Sequence, residues 1–270
     1  MARPDTRLSV LVPAYNEEAT IGKVLRRLRA LGETLFEVVV VDDGSKDETA
    51  RVAQQAAEED PRIRVFALDR NQGKTAAIRR AIREARGDLV VVQDADLEYD
   101  PAEIPEVIDP IVRGQADVVY GSRFLVRRAA RVHYFRHYLG NRLITFLSNL
   151  LTNRNMSDIE TCYKAFRACV IKPMALKSRG FGMEVEITAM VCRTNARTYE
   201  VPISYYGRTY EEGKKIGWLD GFAALWYVLR FNTSARFAPS RRRYVREVNA
   251  ALEAVRASAP DTDEALSLIH

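Results

Sequence analysis

Short apolar runs without polar alternation recur through the first 120 residues, and the run Leu89–Val92 is one leucine followed by three valines. A strand with one face in water alternates apolar and polar residues, so these runs indicate a parallel sheet that helices cover on both faces. Amphipathic helical patterns lie between the runs, and their short connections imply right-handed βαβ units. The sequence therefore predicts an α/β fold with a mainly parallel sheet flanked by helices.

The predicted elements of this first half alternate regularly. The predicted strands are Leu8–Val12, Phe36–Val41, Ile63–Leu68, Leu89–Val92 and Val118–Tyr120. The predicted helices are Glu17–Leu31, Lys46–Glu59, Lys74–Arg86 and Ala102–Val112. Ser45, with Glu48 three residues later, is expected to form a capping box at the start of the second helix.

After Gly121 the alternation of strands and helices changes. The second half contains a basic amphipathic stretch at Ala130–Leu151, a helix near Met183–Arg193, a strand near Tyr199–Tyr206, an aromatic helix at Leu219–Phe231 and an arginine-rich helix from Ser240. No linker composition separates the halves, which predicts a single domain over residues 1–239 with halves 8–120 and 121–239. Residues 240–270 are expected to form a basic helix and a flexible tail.

The net charge of +5 is unevenly distributed along the 270 residues. Between Gly121 and Met156 there is no acidic residue, whereas seven arginines fall in this segment. Such a segment suits phosphate, nucleic acid or an anionic membrane surface. Within it, Ala130–Leu151 combines arginine and histidine with leucine and aromatic residues, a composition typical of helices that lie in a membrane interface. The alternative is that this apolar stripe packs on the sheet or on a partner.

The sequence also bears on cellular location. No run reaches the roughly 18 to 20 apolar residues that a bilayer-spanning helix needs, and the polar start Met1–Arg7 predicts no secretory signal. The three cysteines, Cys162, Cys169 and Cys192, have no metal-ligand spacing and are expected to be reduced. We therefore expect a cytoplasmic protein that associates peripherally with the inner face of the membrane.

Polar residues follow each of the first four predicted strands. They are residues 13–17 after the first strand, Asp42 and Asp43 after the second, Asp69 after the third, and Asp94, Asp96 and Glu98 after the fourth. Because carboxyl ends of parallel strands meet at one edge of a sheet, these groups are expected to converge on one ligand crevice. The last three acids alternate, so extended backbone would aim them the same way, and such a trio indicates a site for a hard cation.

The ordered set of motifs VPAYNEE, VVDDGSKDET, NQGKTAAI and QDADLEYDP resembles the family 2 glycosyltransferases, which have a GT-A nucleotide-diphospho-sugar transferase fold. The motifs YGSRF, CYKAFR and GRTYEEGKKIGW further resemble the polyprenyl-phosphate sugar transferase branch, typified by dolichyl-phosphate mannose synthase. The resemblance spans roughly Leu8 to Asp220. It implies an enzyme that uses a nucleotide-diphosphate sugar, with GDP-mannose and UDP-sugars both compatible with the motifs.

The resemblance also implies roles for individual residues. The nucleotide-sugar site would contain Pro13, Ala14, Tyr15, Glu17, Asp42, Asp43, Lys74, Asp94, Ala95 and Asp96. Asp94 and Asp96 match the DxD element of the family, with Asp94 nearer the sugar and ribose and Asp96 on the metal. Glu98 stands where the mannose synthases often have Gln as a further ligand, which adds negative charge. The expected cofactor is Mg²⁺ or Mn²⁺, bound together with the diphosphate oxygens.

The second half is expected to provide the acceptor site. Arg123 and Arg136 match family positions that contact an acceptor phosphate, and two guanidinium groups suit a phosphate bidentately. Arg208, with Lys214 or Lys215, matches a loop that closes over the donor diphosphate. A polyprenyl phosphate is already anionic at pH 7, so no general base is required, and in-line attack on C1 would invert the sugar.

Other functions stay open at this point. A transferase that acts on a sugar hydroxyl, as in polysaccharide assembly, would need a carboxylate base, for which Asp158 or Glu160 is the candidate. A different class of protein would be a module that binds a sugar nucleotide without turnover. It would leave the basic residues that flank the acidic crevice without a role. A nucleic-acid partner is not expected, because it would leave the acidic crevice unexplained. An anionic membrane surface is expected as a partner, and a second copy of the chain or a membrane partner subunit is a further option.

Overall fold

The computed structural model describes residues 6–125, 135–178, 180, 182–208, 218–233 and 238–258. In this part of the chain, seven strands form one sheet in the order β3-β2-β1-β4-β6-β5-β7. The strands are β1 Leu8–Ala14, β2 Leu35–Asp42, β3 Ile63–Ala67, β4 Leu89–Val92, β5 Val118–Ser122, β6 Lys164–Arg167 and β7 Thr198–Pro202. Neighbours are parallel except where β6 pairs with β4 and β5. The prediction of a mainly parallel sheet is confirmed.

Helices flank this sheet along the described chain. They are α1 Ile21–Arg29, α2 Thr49–Glu59, α3 Lys74–Glu84, α4 Ile104–Val112, α5 Phe135–Thr152, α6 Ala168–Ile171, α7 Gly182–Val191, α8 Trp218–Asn232 and α9 Pro239–Ala257. The five predicted strands are confirmed in position. All residues of β1 and β4 are buried, as expected for interior strands covered on both faces, whereas the edge strand β3 is only partly buried. Residues 126–134 of the basic stretch and the tail after residue 258 lie outside the described residues.

The strand β6 is not predicted from the sequence, yet it lies in the middle of the sheet. It has four residues, and its first residue, Lys164, is fully buried, which no hydrophobic pattern would indicate. The Lys164 ammonium donates hydrogen bonds to the Glu184 carboxylate and to the carbonyl of Thr161, which satisfies the buried charge. Because β6 runs opposite to its neighbours, residues 158–163 arrive at the edge where the other strands end.

The predicted capping box at the start of α2 is wrong. The helix begins at Thr49, and its N-cap residue, Glu48, makes no side-chain cap hydrogen bond. The Ser45 hydroxyl instead donates to the carboxylate of Asp42 and accepts the Asn16 amide. Ser45 therefore ties the ends of β1 and β2 together, and the side chain of Asp47 accepts the amide of Thr49.

The C-terminal helix α9 is bound to the sheet by ion pairs at the edge opposite the carboxyl ends of β1 and β2. Asp117, directly before β5, is fully buried. Its carboxylate accepts hydrogen bonds from Arg167 of β6 at 3.2 Å, from Arg197 before β7 at 3.0 Å and from Arg256 of α9 at 2.8 Å. Burial acts to raise the pKa of Asp117, but the hydrogen bonds from Arg197 and Arg256 outweigh it and lower the pKa to about 2. One carboxylate therefore joins two strand ends and a helix.

Replacing Asp117 with asparagine leaves three arginines around a neutral group, so we expect the free energy of unfolding to fall by about 3 kcal/mol. The carboxylate stabilises the fold fully above its ordinary pKa of 3.8, and this stabilisation is lost as the pH falls toward 2. The difference between wild type and variant should therefore shrink over that range. Urea denaturation followed by circular dichroism measures both effects.

The matched control is Arg113→Gln, which removes an exposed ion pair within α4 and should change stability little. A loss of less than about 1 kcal/mol for Asp117→Asn at pH 7 would contradict the proposed importance of this buried cluster.

Candidate active site at the carboxyl edge of the sheet

A cavity of about 390 Å³ opens where the parallel strands end. It is lined by Pro13, Ala14, Tyr15, Glu17, Asp43, Asn71, Gly73, Lys74, Ala77, Asp94, Ala95, Asp96, Glu98, Tyr99, Arg123, Glu160, Cys162, Gly180, Met183, Glu184, Tyr205 and Arg208. Seven of these residues are acidic and three are basic. The structure thus brings most of the sequence-predicted residues together, and the charge of the described lining is negative.

The two aspartates at the end of β2 hold the neighbouring loops. Asp43 lines the cavity, and its two oxygens accept the amides of Gln72 at 2.8 Å and Gly73 at 2.7 Å, just before α3 begins. Asp42 is buried, accepts the Ser45 amide at 3.1 Å and does not line the cavity. The carboxylates fix the loops on the side of the cavity formed by β1 and β2. Direct contact of either with a nucleotide stays a prediction.

Gly44, between Asp43 and Ser45, is required by the backbone at this place. Its φ is +69°, and a Cβ there would lie 2.6 Å from the carbonyl carbon of Arg70. A side chain would therefore push the loop before α3 out of position.

The acids after β4 lie in a turn and not on extended backbone. The chain turns at Ala95 and Asp96, and Leu97 has a φ of +64°. The expectation that extended backbone would align Asp94, Asp96 and Glu98 is therefore wrong, although all three side chains line the same cavity. The turn achieves this convergence because it folds the segment back over the end of the strand.

Two of these three acids have cationic or polar partners. Asp94 pairs with Lys74 at 2.7 Å, and the Lys74 ammonium also lies 3.3 Å from the sulfur of Cys162. Glu98 accepts a hydrogen bond from the Tyr205 hydroxyl at 2.7 Å and another from the Arg208 amide at 2.8 Å. The carboxylate of Glu98 therefore holds the segment that follows β7 and has few positions left for another ligand.

Asp96 is the acid whose charge is least compensated. One of its oxygens accepts the Glu98 amide at 3.0 Å, and among the described residues no basic side chain pairs with its carboxylate. Burial, together with the negative charges of Asp94 and Glu98, raises the pKa of Asp96 to about 7. A divalent cation would supply the missing positive charge, and carboxylate oxygens are the donors that Mg²⁺ and Mn²⁺ prefer.

The described residues contain no group of three His, Cys, Asp or Glu side chains arranged to hold a metal ion. The chemistry of the turn nevertheless fits a hard cation held by one or two carboxylates, principally that of Asp96, with the remaining positions filled by oxygens of a bound ligand.

The segment after β7 covers one side of the cavity through Arg208. Its guanidinium donates to the Glu17 carboxylate at 2.8 and 3.3 Å and to the carbonyl oxygen of Asp96 at 2.8 Å. Tyr206 donates its amide to the carbonyl of Glu98 at 2.9 Å. Arg208 thus joins the end of β1 to the acidic turn. Lys214 and Lys215, predicted to belong to the same loop, lie outside the described residues.

Arg123, which also lines the cavity, is paired with a fully buried carboxylate. Its Nε and Nη2 atoms donate to Asp158 at 2.6 and 2.7 Å, and its backbone amide also donates to Asp158 at 3.1 Å. The guanidinium lies 5.1 Å from the centre of the Tyr205 ring. Asp158 does not line the cavity, whereas Glu160 does. Arg136 is in the first turn of α5, and its side chain lies outside the described residues.

Several cavity residues are missed by the sequence reasoning. They are Cys162 just before β6, Met183 and Glu184 of α7, and Tyr205 after β7, to which no motif assigned a role. Tyr205 could have been sought through Glu98, because an acid where relatives often have Gln requires a hydrogen-bond donor nearby. However, 107 residues separate Glu98 from Tyr205. The signal for Glu184 is the buried Lys164 of the CYKAFR motif.

The profile of glycosyl transferase family 2 matches residues 9–173, which is more than half of the chain and includes both the acidic turn and Arg123. The chain belongs to glycosyl transferase family 2. Its similarity to the undecaprenyl-phosphate mannosyltransferase of Micrococcus luteus is 31% identity over 248 residues, covering 88% of this chain and 98% of that protein.

The undecaprenyl-phosphate 4-deoxy-4-formamido-L-arabinose transferase of Edwardsiella ictaluri is 33% identical over 212 residues, covering 77% of this chain. The match covers 62% of that relative, so this protein spans about three fifths of the length of the relative. The names of both relatives agree with the polyprenyl-phosphate branch that the sequence motifs resemble.

A solved structure shows the same fold. Glucosyl-3-phosphoglycerate synthase from Mycobacterium tuberculosis, crystallised with Mn²⁺, uridine diphosphate and phosphoglyceric acid, matches with a TM-score of 0.66 at 20% identity. The match covers 85% of this chain and 79% of that one. The expected GT-A fold is confirmed.

Replacing Glu98 with alanine removes the acceptor for the Arg208 amide, so we expect the amides of residues 205–208 to exchange with solvent roughly ten times faster. Hydrogen exchange measured by mass spectrometry on the 203–208 region tests this. Glu98→Gln is the matched control, because its amide oxygen can still accept, and it should retain most of the protection. Unchanged exchange in the alanine variant would show that Glu98 does not hold this segment.

Proposed function

We propose that this protein is an inverting, metal-dependent glycosyltransferase that moves a hexose from a nucleotide-diphosphate sugar to a polyprenyl phosphate. The observation that carries the proposal is one cavity lined both by an undercompensated carboxylate turn and by Arg123. Membership of family 2 and two relatives named for transfer to undecaprenyl phosphate support it.

The charge of the cavity supports a donor that binds together with a cation. A nucleoside diphosphate is anionic, and the described lining has seven acidic and three basic residues. Such a ligand would be repelled unless a cation bound with it. The similar synthase from Mycobacterium tuberculosis was crystallised with Mn²⁺ and uridine diphosphate. We therefore assign Asp96, and Asp94 if it leaves Lys74, to a Mg²⁺ or Mn²⁺ site.

The remaining contacts with the sugar donor are assigned to residues at the ends of β1 and β2 and to the segment after β7 that contains Arg208. Tyr15 and the residues before α3 line the side of the cavity suited to a base and ribose. Arg208 lies beside Glu17 and the acidic turn, where its guanidinium can exchange the Glu17 carboxylate for the oxygens of a bound diphosphate. When bound, the divalent cation would stabilise the negative charge that develops on the departing nucleoside diphosphate.

Arg123 is proposed to orient the acceptor phosphate. Asp158 fixes the guanidinium through Nε and Nη2, and among the described residues Nη1 has no hydrogen-bond partner. An oxygen of an anionic phosphate can accept a hydrogen bond from Nη1. Because the phosphate is already anionic at pH 7, another of its oxygens can attack the sugar without a general base. In-line attack on C1 of the sugar then inverts its configuration.

A hydroxyl acceptor is the second candidate, and Glu160 is the observation that favours it. Asp158 is committed to Arg123 and lies outside the cavity, so it is a poor base. Glu160 lines the cavity, and burial together with the charge of Glu184 raises its pKa to about 8. Once ionised, above about pH 8, this carboxylate can accept a proton from a sugar hydroxyl.

A basic and apolar helix face supports contact with a membrane surface. On α5, Phe135, Phe146 and Leu150 are 72%, 62% and 68% exposed, and no residue of this helix is acidic. The neighbouring helix α8 exposes Trp226 and Leu229 in addition. No helix among the described residues is long and apolar enough to cross a bilayer. We propose that this α5–α8 face rests on anionic lipid at the inner face of the membrane, where a polyprenyl phosphate would be available.

The test of the reaction is transfer of labelled sugar from GDP-mannose or UDP-glucose to a short polyprenyl phosphate, with Mn²⁺ or Mg²⁺ present. Arg123→Ala should lower kcat/KM for the lipid phosphate roughly 10- to 100-fold, because a charge-assisted hydrogen bond is lost, and should leave donor KM nearly unchanged. Arg113→Ala, an exposed arginine of α4's C-terminal end, is the control and should retain full activity.

Two outcomes would contradict this function. Transfer to a glycan hydroxyl, but not to the polyprenyl phosphate, would favour the second candidate with Glu160 as base. Binding of a nucleotide sugar without transfer to either acceptor would favour a module without turnover.

The membrane proposal predicts that the protein sediments with vesicles containing anionic lipid at low salt and is released at high salt. Replacing both Phe146 and Leu150 with aspartate should lower the bound fraction at least roughly tenfold, because apolar burial is lost and negative charge is added. Phe36→Asp, an exposed phenylalanine on β2, is the matched control. Equal binding of the double variant, or a stable dimer in light scattering that buries α5, would overturn the proposal.

A further inference from the structure

The floor of the cavity, beneath Lys74 and Asp94, contains polar groups that neither the cation site nor the acceptor phosphate uses. It is formed by residues just before β6 and at the start of α7, namely Glu160, Cys162, Met183 and Glu184. Glu160 is of particular interest, because a buried polar atom without a partner costs stability unless a ligand uses it.

Glu160 has an unsatisfied polar atom. Its Oε1 is buried and has no hydrogen-bond partner among the described residues. Burial, with the negative charge of Glu184 as the next cause, raises the pKa of Glu160 to about 8. At neutral pH this carboxyl group is therefore mostly protonated, so that it can donate one hydrogen bond and accept another.

Glu184 differs from Glu160 in having a cationic partner. Its carboxylate pairs with the ammonium of Lys164, which is buried in β6 and also donates to the carbonyl of Thr161. The pair places the Glu184 carboxylate against a buried cation, and Glu184 also lines the cavity. The floor thus offers a neutral donor and acceptor at Glu160 next to an anionic acceptor at Glu184. A hexose ring carries hydroxyl groups that match both, since each hydroxyl donates one hydrogen bond and accepts others.

We propose that Glu160 and Glu184 form the subsite for the sugar ring of the donor, that Glu160 determines its affinity through hydroxyl hydrogen bonds, and that the subsite takes a neutral hexose. This inference rests on the proposed function, because it assumes a nucleotide-sugar donor. A uronic acid donor would place its carboxylate beside Glu184, where like charges repel. Glu160 thereby acquires the role of a specificity-determining residue, while the departing phosphate and the acceptor phosphate are held by other side chains.

The test is isothermal titration of the full chain, with Mn²⁺ present, against UDP-glucose and GDP-mannose and against UDP and GDP alone. Glu160→Ala should weaken binding of the nucleotide sugar at least roughly tenfold and leave that of the matching nucleoside diphosphate within about twofold. Glu160→Gln should recover most of the affinity, since glutamine can also donate and accept. Wild-type protein should bind UDP-glucuronate at least roughly tenfold more weakly than UDP-glucose.

Thermal unfolding of Glu160→Ala separates a ligand role from a structural one. Removing an unsatisfied buried carboxyl group should leave the Tm unchanged or raise it. A lowered Tm combined with loss of binding to both probes would mean that Glu160 supports the fold, which would overturn the inference.

The remaining outcomes distinguish the inference from the proposed function. If wild type binds a nucleoside diphosphate and its sugar derivative, but Glu160→Ala changes neither or both equally, the sugar subsite is wrong and the proposed function stands. Equal affinity for UDP-glucuronate and UDP-glucose overturns the neutral-hexose class. If wild type binds none of the four nucleotides, the proposed function itself fails.

Discussion

Negative charge that the protein does not neutralise accumulates at the carboxyl edge of the sheet, and much of the surrounding structure is arranged around it. Lys74 compensates Asp94, and Arg208 compensates Glu17, but Asp96 is left with a pKa raised to about 7 by burial and by its acidic neighbours. Leaving carboxylates uncompensated in a partly buried cavity costs stability. The cost is offset when a cation and an anionic ligand bind together, which is why we regard this edge as the active site.

The cavity is also assembled from both halves of the chain by a small number of long-range contacts. Glu98 holds the segment after β7 through Tyr205 and Arg208, and the reversed direction of β6 brings residues 158–163 to the same edge. On the opposite edge of the sheet, Asp117 fixes β6, β7 and α9. The segments proposed to contact ligands are therefore held mainly by hydrogen bonds to Glu98, whereas the distant edge is held by a buried cluster of ion pairs.

The sequence predicts the sheet and the convergence of its polar ends, because both follow from hydrophobic pattern and strand order. Val90 and its neighbours are buried on both faces, and this fact is visible in their composition alone. By contrast, β6 is short and begins with a buried lysine whose partner, Glu184, is 20 residues away. The pairing of Arg123 with Asp158 is likewise a tertiary contact, which no single sequence encodes as a local pattern. The predicted capping box fails for a related reason, because Ser45 bonds across to the end of β1.

The central claim is that the acidic turn accepts a diphosphate only together with a divalent cation. Titration of UDP and GDP into the protein, with Mn²⁺ and then with excess chelator, tests this claim directly, and Asp96→Asn repeats it without the principal carboxylate. The account predicts that one of the two nucleotides binds with Mn²⁺, that chelation weakens this binding at least roughly a hundredfold, and that Mn²⁺ enhances binding little in the variant. Equal affinity with and without Mn²⁺ in the wild-type protein would contradict it.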